Sequence, residues 1–245
     1  MGLGGTLLCA IDVDRRAPGL VACARQWAAA TGLRARFVHA RAAPGADGRA
    51  QRLLRGLGLA EDELRIVTGG PAVAVLELVR AEEPALVLVA SSADDDGRLG
   101  SLCTALLRGA HRPVAVLPPD GEASFSGGPI ACAVSVGHGD EAAVRFAGAL
   151  ASASGRRLAL MHVVGAKEAA RLAAARMGGS PSRSPAAGLG PRPLAQRLVE
   201  VARDAEADAL VVASRPQDAT ADGLLSSVAR RLWTAAPCPV VVVHA

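Results

Sequence analysis

Gly100 and Ser101 are the residues whose types and spacing best suit binding chemistry. They begin a predicted helix at 100–110 that directly follows a predicted strand and loop. A helix start offers free backbone N–H groups and a positive dipole end, and glycine lets the backbone approach a phosphate. The run Asp94-Asp95-Asp96 opposes such an anion, because two unit charges 4 Å apart repel by about 1 kcal/mol in water. Carboxylates are also Mg²⁺ ligands, but we interpret these three as a solvated loop.

Cysteine and histidine are the other residue types here with reactive or metal-binding side chains. The five cysteines are odd in number and show neither CxxC nor Cys/His metal spacing, which favours a reduced, cytoplasmic compartment. Cys103 lies near a predicted helix start, which would lower its thiol pKa. A redox-sensor role therefore competes with helix packing, and we favour packing. His39 and His162 end equivalent strands with no indicated metal-ligating partner, and we predict strand-end histidines over the cleft.

The elements that position these residues occur twice along the chain. The segment LLCAIDV near the N-terminus resembles IACAVSV in the second half, and PALVLVASS resembles DALVVASR. Cys9 and Cys132 are separated by 123 residues, as are several other matched pairs. We therefore predict two homologous domains, residues 1–119 and residues 129–245, joined by a linker at 120–128.

Each half alternates short apolar runs with helical patterns. Runs that are apolar on both faces are typical of a parallel sheet covered by helices on both sides. We predict an α/β fold with two five-stranded, parallel, doubly wound domains in tandem. Residues 178–193 are rich in Pro, Gly and Ser, so the third strand of the second domain is predicted to be eroded. The predicted strands are at 7–12, 35–40, 64–68, 85–91 and 113–118, then at 130–135, 157–164, 208–214 and 239–244.

Composition and charge exclude several classes of function. Aromatic residues make up 2% of the chain and there is no Tyr, which argues against stacking single-stranded nucleic acid. The net charge of +4 divides into +1 for residues 1–120 and +3 for residues 121–245, so no basic patch is concentrated in one half. No apolar run approaches the roughly 18 residues needed to span a bilayer. We expect neither a nucleic acid nor a membrane as partner.

In their order, and twice, several segments resemble the universal stress protein family. They are the strand ending in Ile11-Asp12, the strand FVHA, the stretch GGPAVAVLELV, the strand LVLVASS, and GSLCTALLRGAHRPVAVL with its counterpart SSVARRLWTAAPCPVVVV. The resemblance covers almost the whole chain. It implies Rossmann-like domains of the adenine nucleotide alpha hydrolase type in a cytoplasmic, non-enzymatic stress-response protein. It also implies that VAVLP at 114–118 pairs with VVVVH at 240–244, giving an intramolecular pseudo-dimer.

The resemblance also defines a candidate nucleotide site in the first half. ATP-binding members carry G-x2-G-x9-G-S/T after strand four and an Asp at the end of strand one. Here Ala90 and Ala93 stand where the first two glycines belong, and the following loop is three residues shorter than the pattern. ATP remains possible in this half. The residues implied for it are Asp12, Ala40, Ser91, Gly100 and Ser101.

The second half departs further from that pattern. Ser135 replaces the Asp, and none of the three glycines survives at the correctly spaced positions Ala213, Pro216 and Ser226. Pro216 also lacks the N–H that a phosphate would need. We expect no ATP in the second half.

Three functional hypotheses follow in order of preference. The first is a non-enzymatic regulatory or interaction protein of the stress response, with a degenerate nucleotide site and a protein partner. The alternative is an adenine-nucleotide sensor that binds through the first domain only. The third is a weak nucleotide hydrolase, ranked last because only Asp12 or the acids at 94–96 offer a general base.

Overall fold

Apolar strands and the helices between them form one α/β sheet. The computed structural model describes residues 3–12, 17–41, 48–91, 100–118, 125–134, 140–162, 194–214 and 232–244. The strands are β1 (Thr6–Ala10), β2 (Arg34–Arg41), β3 (Leu64–Thr68), β4 (Leu86–Ala90), β5 (Val114–Leu117), β6 (Ile130–Val134), β7 (Leu158–His162), β8 (Ala209–Ser214) and β9 (Val240–His244). The helices are α1 (Ala17–Thr31), α2 (Gly48–Gly56), α3 (Pro71–Glu82), α4 (Ser101–Gly109), α5 (Glu141–Ser154) and α6 (Leu194–Asp204).

The strand order confirms the predicted doubly wound α/β fold. The sheet runs β3-β2-β1-β4-β5-β9-β8-β6-β7, and within each half all neighbouring strands are parallel. The first half has the predicted five strands, and the second contributes four among the described residues. The predicted erosion of a third strand concerns residues 163–193, which lie outside the described ones.

The two halves meet where β5 pairs with β9. This pairing is antiparallel, with Val114 opposite Val242 and Val116 opposite Val240. The segments are those that the family resemblance paired. Because all four side chains are buried, the seam has the character of a sheet interior and leaves neither strand as an exposed edge.

The core lies in two apolar layers, one on each face of the sheet. Alternate residues of β1 enter different layers: Leu7 and Cys9 lie in one, and Leu8 and Ala10 in the other. The first layer includes α1 and α5, and the second includes α3, α4 and α6. Both layers contain residues from both halves, so the core continues across the seam.

Candidate functional site

The five residues of the predicted nucleotide site lie at or just after strand ends, or at a helix start, along one edge of the sheet. Asp12 follows β1, Ala40 is near the end of β2, and Ser91 follows β4. These three strands are adjacent in the order β2-β1-β4 and parallel, so their carboxyl ends share that edge. The order changes direction between β1 and β4, which is where doubly wound folds bind ligands. Gly100 and Ser101 begin α4, the helix after β4.

The five residues differ in what they offer a ligand. Asp12 and Ser101 are exposed, whereas Ser91 is buried and its backbone N–H donates to the Leu117 carbonyl at 2.8 Å. Ala40 is half-buried and packs against a core layer. Gly100 has φ −56°, a value that any residue adopts, so this backbone conformation does not by itself require glycine. The arrangement therefore offers one exposed carboxylate and a helix start.

Alanine methyl groups occupy the ends of β4 and β8, where the nucleotide fingerprint has glycine. Ala90 and Ala213 are both partly buried and pack against the same core layer. A glycine at such a position allows the closest approach of backbone and phosphate, and a Cβ occupies part of that space. The other departures from the nucleotide-binding pattern lie outside the described residues. They are Ala93, the acids at 94–96, Ser135, Pro216 and Ser226.

His39 connects the candidate edge to the core. Its ring is buried, and Nδ1 lies 3.1 Å from the carbonyl oxygen of Ile11, the residue before Asp12. A carbonyl only accepts, so this hydrogen bond places the proton on Nδ1. The ring therefore joins the ends of β1 and β2. His162, its counterpart in the second half, is exposed instead.

Burial, and not the helix start, decides the chemistry of Cys103. The residue is 1% exposed, and burial raises the pKa of its thiol to about 12, so the lowered pKa expected from the helix N-terminus is wrong. Removing a thiolate from water costs more than the helix dipole returns at this position. The helix-packing interpretation is confirmed. The pKa is raised by burial at the other four cysteines also, Cys9, Cys23, Cys132 and Cys238.

Metal-binding clusters and membrane-spanning helices are both absent from the part of the chain that the structure describes. That part has no cluster of three or more His, Cys, Asp or Glu side chains placed to hold a metal ion. None of its helices has the length and apolar character to cross a bilayer. Trp27 and Trp233 are both buried.

A cavity of about 660 Å³ lies at the amino ends of the second-half strands. Its walls are Ser126 to Pro129, the turn at 205–207, Arg157 with Arg203, and Cys238 with Pro237. Because β5 and β9 are antiparallel, this edge lies on the same side of the sheet as the carboxyl ends of β1 and β4. The cavity is thus separate from the predicted site but shares its side of the sheet.

Beside the cavity stands a polar cluster that the sequence analysis missed, made of Ser126, Arg156 and Asp208. The Asp208 side chain is fully buried, and Arg156 Nε lies 3.1 Å from its Oδ2. A signal for it was present, since the 123-residue offset aligns these residues with Leu3, Leu33 and Ala85 of the first half. A concerted change from three apolar to three polar residues indicates contact between them.

The chain resembles known proteins in sequence over its second half and in fold over both halves. Residues 128–244 match the Universal stress protein family. A solved protein of unknown function from Pseudomonas aeruginosa PAO1 is 17% identical, covers 98% of this chain over 92% of its own, and has a TM-score of 0.65. A universal stress protein from Archaeoglobus fulgidus DSM 4304 is 13% identical, with 98% of both chains covered and a TM-score of 0.65.

No curated protein matches the chain. At these identities the two structures show likeness of fold, and that likeness extends over both halves. The family match itself covers the second half and confirms the resemblance seen in its motifs. Over residues 128–244 the chain therefore matches the Universal stress protein family, and over both halves it shares the fold of a universal stress protein.

Proposed function

We propose that this protein is a non-enzymatic regulatory protein of the stress response whose nucleotide site is degenerate. The observation that carries the proposal is the packing of Ala90 and Ala213, whose methyl groups occupy the strand ends where a phosphate-binding loop would need glycine. The raised thiol pKa of Cys103 also supports it, because a protonated, buried thiol is a poor nucleophile. The protein would act through binding a protein partner.

The pairing of β5 with β9 supports an intramolecular pseudo-dimer as the working form. A universal stress protein fold that uses its final strand internally has no need of a second copy at that strand. The five cysteines are free and buried, which supports a reduced, cytoplasmic location.

A second candidate, an adenine-nucleotide sensor, is favoured by one observation. The exposed Asp12 and the start of α4 lie at the edge where the sheet order changes direction. That placement suits a nucleotide held by the first half alone. In such a site Asp12 would accept hydrogen bonds from a ribose or base, and the N–H groups of α4 would face phosphate.

Nucleotide titration of the full chain separates the two candidates. The protein is purified under native conditions, examined by native mass spectrometry for retained nucleotide, and titrated calorimetrically with millimolar ATP and Mg²⁺. The degenerate-site proposal expects neither retained nucleotide nor binding heat. Binding that is lost in Asp12→Asn but kept in the control Asp62→Asn, an exposed Asp elsewhere in the first half, supports the sensor instead.

Phosphate release measured in the same samples addresses the third hypothesis. We expect no ATP turnover above that of buffer. Sustained release that is abolished by Asp12→Asn and retained by Asp62→Asn contradicts the non-enzymatic proposal and identifies a hydrolase.

A further inference from the structure

The two halves carry different side chains at one equivalent place, beside the start of each first strand. The backbone is the same in both: Ala85 N donates to Thr6 O at 2.9 Å, and Asp208 N donates to Pro129 O at 3.0 Å, 123 residues later for both partners. The first half has apolar residues here, with Leu33 buried and both Leu3 and Ala85 packed against a core layer. The second half has three polar residues at the same backbone positions.

In the second half these polar residues surround the Asp208 carboxylate. Oδ1 accepts from the backbone N–H of Ser126 at 2.8 Å and from its hydroxyl at 3.0 Å. Oδ2 accepts from the Gly127 N–H at 3.4 Å and faces Arg156 Nε at 3.1 Å. A fully buried carboxylate with three hydrogen-bond donors and one ion-pair partner is held in one position, and it holds the segment that enters β6.

The segment held by Asp208 also contacts the first half. The ring of Phe125, the residue before Ser126, meets the buried ring of Trp27 in α1 edge-on, with 5.1 Å between ring centroids. The guanidinium of Arg156 lies 5.8 Å from the centroid of the Phe125 ring, and its Nη2 donates to the Phe125 carbonyl at 3.5 Å. One arginine therefore touches both the buried carboxylate and the aromatic residue that reaches α1.

We propose that Phe125, Ser126, Gly127, Arg156 and Asp208 form a latch that couples the two halves. Asp208 holds the connecting segment on the second half, and the segment in turn holds Phe125 against Trp27. Apolar residues such as those of the first half would fill the same space without fixing the direction of the segment, because their contacts are not directional. The device is specific to the second half, since the first half lacks all three polar residues.

The latch predicts that Asp208 controls the hydrogen-exchange protection of the backbone amides in the segment, and not only the free energy of unfolding of the whole protein. In Asp208→Asn the amide retains the size of the carboxylate but loses its charge and half its acceptor capacity. We expect the backbone amides of Ser126 and Gly127 to exchange hydrogen at least about tenfold faster, the change expected when a hydrogen bond to a charged group is lost. Asp204→Asn, at the exposed end of α6, is the matched control and leaves these amides unchanged.

A double-mutant cycle tests whether Asp208 acts on the aromatic contact. Phe125→Leu removes the ring from Trp27, and its effect on the unfolding equilibrium constant is measured with and without Asp208→Asn. Among the described residues, the contacts that link Phe125 with Asp208 run through the segment and Arg156. The latch therefore predicts that the two substitutions together change the unfolding equilibrium constant about threefold or more less than the product of their separate effects. Multiplicative effects overturn the proposal.

A variant built from the first half's own residues keeps the test decisive if Asp208→Asn does not fold. Ser126→Leu, Arg156→Leu and Asp208→Ala together replace the whole polar set, which is tolerated far better than the loss of one buried partner. We expect this variant to fold and to lose hydrogen-exchange protection of the backbone amide at position 127. In this background, the effect of Phe125→Leu on the unfolding equilibrium constant should depart from the multiplicative value by no more than it does with Asp208→Asn. Unchanged protection at position 127 refutes the role of Asp208 as the holder of the segment.

Discussion

The reactivity of the cysteines decides directly between a redox sensor and a packed core. Burial raises the pKa of the Cys103 thiol to about 12, from 9.0 when unburied. At pH 8 the thiolate fraction is then about 1 in 10,000, whereas an unburied thiol is roughly one tenth ionised. The thiolate is the reacting species, so ionisation alone slows modification about 1,000-fold, before any steric protection is counted.

The assay is labelling with Ellman's reagent at pH 8, with and without guanidinium chloride. We expect five reactive thiols per chain after unfolding, because the chain has five cysteines, and almost none in the native protein over the same time. Any slow native labelling should occur only as the core opens around each thiol, so its rate reports local opening.

A fast native phase would refute this reasoning if it belongs to one thiol. Cys103→Ala and the control Cys238→Ala assign it, because burial raises the pKa of both thiols to about 12. A fast phase that disappears in Cys103→Ala and persists in Cys238→Ala would restore the redox-sensor hypothesis for the start of α4.

Two further predictions concern stability. A Cβ on Gly128 would lie 1.8 Å from the Glu206 carbonyl oxygen, so Gly128→Ala should lower the free energy of unfolding by about 3 kcal/mol. The control is Gly148→Ala, in α5 with open space around it, which should raise the free energy of unfolding by about 0.5–1 kcal/mol. Equal effects of the two substitutions in urea unfolding would contradict the close approach at Gly128. Burial, and to a lesser extent the charge of His111, lowers the pKa of His244 from 6.5. As pH falls, the unfolded chain therefore takes up a proton at this residue before the folded chain does. The free energy of unfolding should fall as pH drops below about 6.5. His244→Gln should show a smaller fall, and identical pH slopes would exclude this residue as a source.

Much of the fold could be predicted because its signals are local or repetitive. Apolar runs placed β3 at 64–68 as observed, and other strands within one or two residues at most ends. Gly32 follows α1 in the left-handed region with φ 73°, as expected of a glycine that ends a helix. The repeated offset predicted equivalent elements in both halves, and the strand registers agree with it.

The candidate site could be predicted in position but not in chemistry. Knowing that Asp12, Ala40 and Ser91 lie at strand ends is enough to place them at one edge of a parallel sheet. Whether a residue there is exposed depends on neighbours distant in sequence. Ser91, for example, donates its backbone N–H to the carbonyl oxygen of Leu117. Those neighbours differ between otherwise equivalent strands.

By itself, the sequence determined that the chain is an internally repeated α/β protein, where its strand ends lie, and at which positions glycine is replaced. These properties follow from hydrophobic period and from residue identity, which need no knowledge of distant contacts. Only the tertiary structure decided that the Cys103 thiol is protonated and that Asp208 is paired with Arg156. It also decided that Asp208 binds the backbone of Ser126, which lies 82 residues earlier in the chain. Desolvation and charge pairing depend on what surrounds a group in space, and for these two residues the surroundings come from distant parts of the chain.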